Sequence, residues 1–243
     1  MVSLCSHLAA AVKMNSRRLI MGSLLSAALV LLYGWLPSAV ADPDAVLDQW
    51  FAAQQNLQSW SADFIQTRTL PTLTQPLIAH GHLDFALPGD FRWQIGQPAR
   101  TIALGHDVQM YVIYPLLKRA ELYPLGPDTP KQWRDMMSLL QAGFPHNRQE
   151  FTAQFKVLSL TTTNSAWLLA LSPNSSFARQ MISELQLGFA TNNFELISTE
   201  MILVDGSRMR TDFTNSVINP TLDRSLFTWQ PPADYKVTAP MGK

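Results

Sequence analysis

Three kinds of hydrophobic pattern follow one another along the chain. From Leu19 to Leu36 apolar residues run almost without interruption, preceded by Lys13, Arg17 and Arg18 and followed by Ser38-Ala39-Val40-Ala41. A basic start, an apolar run and an A-x-A ending predict a secretory signal peptide over 1–41, cleaved after Ala41, with Met1 or Met14 as the start. The second pattern has helical spacing. Val46, Leu47, Trp50, Phe51, Gln54 and Leu57 form an apolar stripe behind Asp42, a candidate N-cap, and Pro43. From Ser59 the period drops to two. Trp60, Ala62 and Phe64 begin a first strand, Leu83, Phe85 and Leu87 share a face of the next, and Phe91, Trp93 and Ile95 alternate after the Pro88-Gly89-Asp90 turn.

Short strands continue at Arg100–Leu104, Val108–Tyr114 and Lys118–Tyr123, and a proline-rich loop covers Pro124–Pro130. Lys131–Leu140 is the second helical stretch. Strands resume at Phe151–Leu160, Trp167–Leu171, Met181–Phe189, Glu195–Val204 and Ser207–Thr214, with hairpin turns at Asn192-Asn193 and Asp205-Gly206. Many short strands with turn signals between them predict an antiparallel sheet, curled or closed into a barrel or sandwich. No linker or repeat interrupts residues 42–243, so they read as a single domain.

Charge narrows the function classes. The chain has 18 Lys+Arg and 18 Asp+Glu, and charged residues are 15% of the total, against roughly 25% in ordinary soluble proteins. That balance argues against a nucleic-acid partner, which selects a basic stripe. Cleavage at Ala41 leaves 15 basic and 18 acidic residues, a net of −3, and removes Cys5, the one cysteine. The exported protein then needs no disulfide, and its 202 residues suffice for one core.

Candidates for chemistry are few. His80 and His82 point to one face of a strand but lack two further metal ligands, so they read as surface residues and no metal is expected. There is no G-x-S-x-G elbow, no glycine-rich phosphate loop and no dinucleotide fingerprint. The sequence therefore predicts neither an enzyme nor a cofactor. The Lys131–Leu140 helix is more informative, because Trp133, Met136, Met137 and Leu140 share a face and Gly143, Phe144 and Pro145 follow. It reads as a core-packing helix or as an adaptable apolar lid, since Met and Leu repack around variable ligands.

Five segments carry a resemblance. Ser59-Trp60-Ser61-Ala62-Asp63-Phe64-Ile65-Gln66-Thr67 follows the first helix. Gly81-His82-Leu83-Asp84-Phe85 leads through Pro88 to Phe91-Arg92-Trp93, and Gln97-Pro98 follows. Val112-Ile113-Tyr114-Pro115 and Phe227-Thr228-Trp229-Gln230-Pro231-Pro232 complete the set. In order and spacing these resemble the LolA-like family of periplasmic outer-membrane lipoprotein carriers, over about Leu47 to Val237. The resemblance implies a mainly β (α+β) fold, a highly curved, incomplete antiparallel β-barrel covered by a helical lid. It implies a periplasmic monomer that takes a lipoprotein from an inner-membrane exporter, shields its acyl chains in an apolar cavity and passes them to an outer-membrane receptor. Cavity and lid are expected to use Phe64, Phe85, Phe91, Trp93, Tyr111, Trp133, Met136, Met137, Leu140 and Phe144. Where well-studied members carry a lid-holding arginine this chain has Leu87, and Arg92 is the nearest substitute latch. Carriage of another lipid or glycolipid, or a lipoprotein sensor or adaptor on the same fold, fits the same segments.

Overall fold

The computed structural model describes residues 42–126, 129–145, 147–163 and 165–240, without the side chains of Met136 and Leu140. The signal-peptide expectation over 1–41 therefore lies outside the described residues. Helix α1 spans Pro43–Gln54. Asp42 caps it, its carboxylate accepting from the Asp44 amide at 3.1 Å, and Val46, Leu47, Trp50 and Phe51 are buried. Six strands follow: β1 Ser59–Thr69, β2 Leu77–Ala86, β3 Asp90–Ile95, β4 Thr101–His106, β5 Gln109–Tyr114 and β6 Arg119–Pro124. Then come α2 Lys131–Gln141 and α3 Arg148–Gln154. Strands β7 Phe155–Thr162 and β8 Ala166–Pro173 precede the short α4 Ser176–Arg179. Strands β9 Ile182–Ala190, β10 Leu196–Leu203, β11 Arg208–Ile218 and β12 Lys236–Thr238 complete the chain.

All twelve strands form one sheet in the order β12-β6-β5-β4-β3-β2-β1-β11-β10-β9-β8-β7. It consists of two meanders, β1 to β6 and β7 to β11, joined where β1 pairs with β11 over Trp60↔Ile218 to Thr69↔Arg208. Register breaks in β1–β11, β9–β10 and β7–β8 mark bulges, which bend strands and increase twist. The sheet curls but does not close: β12 and β7 remain its edges. This topology dictates the lid. Strand β6 lies near one edge and β7 at the other, so the intervening chain must cross the hollow face, and it does so as α2 and α3.

The inner face carries the main core, in which Trp50, Phe151 and Phe189 from α1, α3 and β9 meet with ring centroids 5.2–5.3 Å apart. A second, smaller core lies on the outer face of β4–β6. There Ile102, Leu104, Ile113 and Ala120 are covered by the C-terminal segment through Trp229 and Tyr235.

Two expectations need correction. Phe151 does not begin a strand but sits in α3, where Asn147 accepts from the Glu150 amide at 2.8 Å. Phe151 and Phe155 share a face by helical rather than strand spacing. The sheet is not wholly antiparallel, because β12 pairs parallel to β6 after the C-terminal segment crosses the outer face. The one-turn helix α4, capped by Ser175, fills the stretch between β8 and β9.

Candidate functional site

The helices and the inner face of the sheet enclose a cavity of about 440 Å³, within the roughly 300–1,000 Å³ of typical ligand sites. Both meanders line it. Leu83, Phe85, Phe91, Trp93 and Met110 come from the first, and Leu185, Met201, Met209 and Phe213 from the second. Trp133, Met137, Leu139 and Phe144 form the lid side. Six lining side chains are polar: Gln66, Thr199 and Thr211 on the sheet, and Gln141, Glu150 and Gln154 on or beside the helices. Among the described residues, Glu150 is the single charged group of the lining and no Lys, Arg or His belongs to it.

Of the residues named from sequence, Phe85, Phe91, Trp93, Trp133, Met137 and Phe144 line this cavity. Phe64 does not. It is buried behind the wall, its ring 4.4 Å from that of Trp93 between centroids. Tyr111 is on the other face of the sheet. Strand β5 turns Met110 and Val112 inward, so Tyr111 points outward and meets Trp229, with centroids 5.2 Å apart. Alternation alone could not assign that strand, because both its faces are apolar. The side chains of Met136 and Leu140 lie outside the described residues.

Arg92 is no lid latch. On β3 it alternates with Phe91 and Trp93 and so faces outward, with Nη2 donating to Gln94 Oε1 at 3.1 Å and Nη1 reaching the Leu226 carbonyl at 3.5 Å. Aromatic rings and one carboxylate hold the lid instead. Trp133, in the first turn of α2, stacks on Tyr123 of β6, with centroids 4.7 Å apart and planes 13° apart. Phe144, past the end of α2, stacks on Phe85 at 5.3 Å and meets Trp60 at 5.0 Å. Between these ends, Asp135 pairs with Lys131 at 2.9 Å and accepts from the Ser175 hydroxyl that caps α4. Burial pushes the Asp135 carboxyl up, but the hydrogen bonds from Ser175 and Lys131 outweigh it and hold the group below the usual carboxylate range. Burial and a hydrogen bond to Glu121 push the Tyr123 phenol up to about 12, so it stays neutral and a donor at physiological pH.

The outer face carries a polar cluster that alternation alone did not reveal. Ser61 Oγ lies 3.2 Å from His82 Nε2, and His82 Nδ1 lies 2.7 Å from Asp63 Oδ1. The order imitates a hydrolytic triad, but the Ser61 hydroxyl donates to Asp84 Oδ1 at 2.8 Å. The cluster is on the opposite face from the cavity, so it meets nothing bound there. A hydrogen bond from Asn215, with a second from His82, holds the Asp63 carboxyl down. Among the described residues no group of three His, Cys, Asp or Glu is placed to hold a metal.

Several lining residues escaped sequence reading, notably Leu139, Met201, Met209, Gln66, Thr199 and Thr211. Met201 and Met209 face each other in register across the last hairpin. Their alternation with Glu200 and Arg210 was a usable signal.

The family model described as outer membrane lipoprotein carrier protein LolA matches residues 55–230. The outer-membrane lipoprotein carrier protein of Pseudoalteromonas translucida (strain TAC 125) is 25% identical over 230 residues, 93% of this chain and 96% of that protein. The protein of the same description from Bordetella avium (strain 197N) is 25% identical over 208 residues, 85% of this chain and 90% of its own. Among solved structures, a LolA superfamily protein from Nitrosomonas europaea covers 76% of this chain and 97% of its own, at 11% identity and a TM-score of 0.40. With a family match across more than two-thirds of its length, the chain belongs to the LolA family.

Proposed function

We propose that this protein is a periplasmic carrier that shields the acyl chains of lipoproteins while they cross from the inner to the outer membrane. The observation that carries the reading is the cavity: an apolar hollow of about 440 Å³ between a curled sheet and a crossing helix fastened by stacked rings. Each methylene taken out of water is worth roughly 0.8 kcal/mol, so a free acyl chain does not cross an aqueous compartment unaided. A carrier must also release its load. Stacked rings suit that need, because such pairs contribute only about 0.5–1.5 kcal/mol beyond their buried area. Differential contacts with donor, cargo and acceptor then decide between closed and open lids.

The remaining parts of the reading follow. Residues 1–41 act as a cleaved signal peptide, the mature chain is one carrier domain, and the protein works by binding rather than by turnover. Donor and acceptor in this reading are an inner-membrane exporter and an outer-membrane receptor, as the resemblance in the sequence implies. The test is to isolate the protein from its own periplasm and identify bound material by mass spectrometry. Acylated polypeptide is the expected finding. Another lipid in its place would move the cargo to that lipid, and an empty protein that also fails to bind an apolar dye would overturn the carrier reading.

A further inference from the structure

On the outer face of β11 the charged residues find partners: Arg210 donates to Asp212 at 2.6–3.0 Å and meets Glu200 at 3.6 Å. The inner face is different. Gln66 on β1 stands in register with Thr211 on β11, and Thr211 with Thr199 on β10. Three uncharged polar side chains thus lie side by side across adjacent strands, about 4.8 Å apart from strand to strand. Gln66 is 8% exposed and Thr211 3%, and all three line the cavity. Among the described residues the three are not counted with the sealed-in polar atoms that lack a partner, so their amide and hydroxyl groups open onto the hollow they line. Polar groups that open onto a cavity can pair with water or with a bound molecule. A row of three on the sheet side of the hollow, among apolar neighbours from the same strands, is therefore available to a ligand.

The donor and acceptor types narrow that ligand. A glutamine amide and two threonine hydroxyls offer neutral donors that suit a carbonyl oxygen, and acceptors that suit an amide N–H. A carboxylate or phosphate finds no counter-charge among the described residues, because none of the lining residues is a cation and Glu150 would repel it.

We propose that Gln66, Thr199 and Thr211 form a carbonyl-binding subsite that selects acyl chains attached through neutral ester or amide linkages over free fatty acids and anionic phospholipid heads. The subsite rests on the carrier reading above and names the chemistry that the cavity accepts. An acyl chain lies along the apolar wall, and its linkage carbonyl sits across the three strands.

The test is competition against a naphthylamine dye whose fluorescence rises in apolar surroundings. Lauroyl glycerol and laurate, which share one acyl chain and differ in the head, are compared at about pH 8, where laurate is ionised. Wild-type protein is expected to prefer the ester by about 10-fold or more. In the Gln66→Leu/Thr211→Val double variant that preference should fall by about 10-fold, the sum of two ordinary hydrogen bonds. The ligand-free double variant should melt no lower than wild type, because polar groups that open onto the hollow have been exchanged for apolar ones of similar shape. An unchanged preference, or a lower melting temperature that shows the pair supports the fold, would overturn the subsite. A wild-type protein that does not bind the dye would instead overturn the carrier reading, and the subsite with it.

Discussion

The indole of Trp133 lies flat on the ring of Tyr123, with centroids 4.7 Å apart and planes 13° apart. This contact ties the start of α2 to the sheet on the β6 side, while Phe144 on Phe85 ties its far end. The lid is thus fastened at both ends by rings. The Tyr123→Ala variant should lose about 1 kcal/mol of lid attachment, roughly a fivefold rise in the open population. Stopped-flow uptake of an apolar dye should accelerate accordingly. Unchanged uptake would mean that entry does not require this end of α2 to lift.

Asp135 gives the lid a pH dependence of known sign. Its carboxyl is depressed in the folded protein. A depressed group contributes stability above its unfolded value and loses that contribution as pH falls through the folded one. Thermal melts between about pH 5 and pH 2 should therefore show wild type losing more stability than the Asp135→Asn variant, and Ser175→Ala should fall between them. Parallel losses in all three proteins would show that Asp135 does not set the pH dependence.

Ala103 lies on the cavity floor and is flanked by larger side chains. The Ala103→Phe variant should fill part of the 440 Å³ and weaken dye binding by about 10-fold or more, for a loss of about 1.4 kcal/mol or more. Circular dichroism should remain that of wild type. Undiminished binding would place the dye elsewhere on the molecule.

Gly81 stands opposite Phe64 in the β1–β2 register. A Cβ there would strike the Phe64 ring and the Gln94 carbonyl, and the carbonyl belongs to a paired strand that cannot yield. Gly81→Ala should cost about 1–3 kcal/mol in urea unfolding. A loss below about 0.5 kcal/mol would show that the sheet accommodates it.

Gly81 also shows what the sequence makes legible. Its place two residues before Leu83 and four before Phe85 is a sheet-packing requirement, and the alternation around it gave the strands and the inward side of β2 and β3. Where one face is polar, as at Arg92 and Gln94, the period of two assigns the other face correctly to Phe91 and Trp93. It fails at Tyr111, because the C-terminal segment buries the outer face of β4–β6 and makes both faces apolar. It also fails at Phe64, which points inward but is covered by Trp93, a matter of depth that alternation does not encode. The row of Gln66, Thr199 and Thr211 was out of reach for another reason. Strands β1 and β11 are far apart in sequence, and only their pairing brings the three together.

The cavity is proposed to shelter the acyl chains of a polypeptide cargo. That role is tested most directly by titrating the mature protein with a fluorescent peptide acylated at its N-terminus, alongside the same peptide without acyl chains. The acylated peptide should bind saturably, be displaced by an apolar dye and bind more weakly to the Ala103→Phe variant, and the bare peptide should show no measurable binding. Equal binding of both peptides, or of neither, would contradict it.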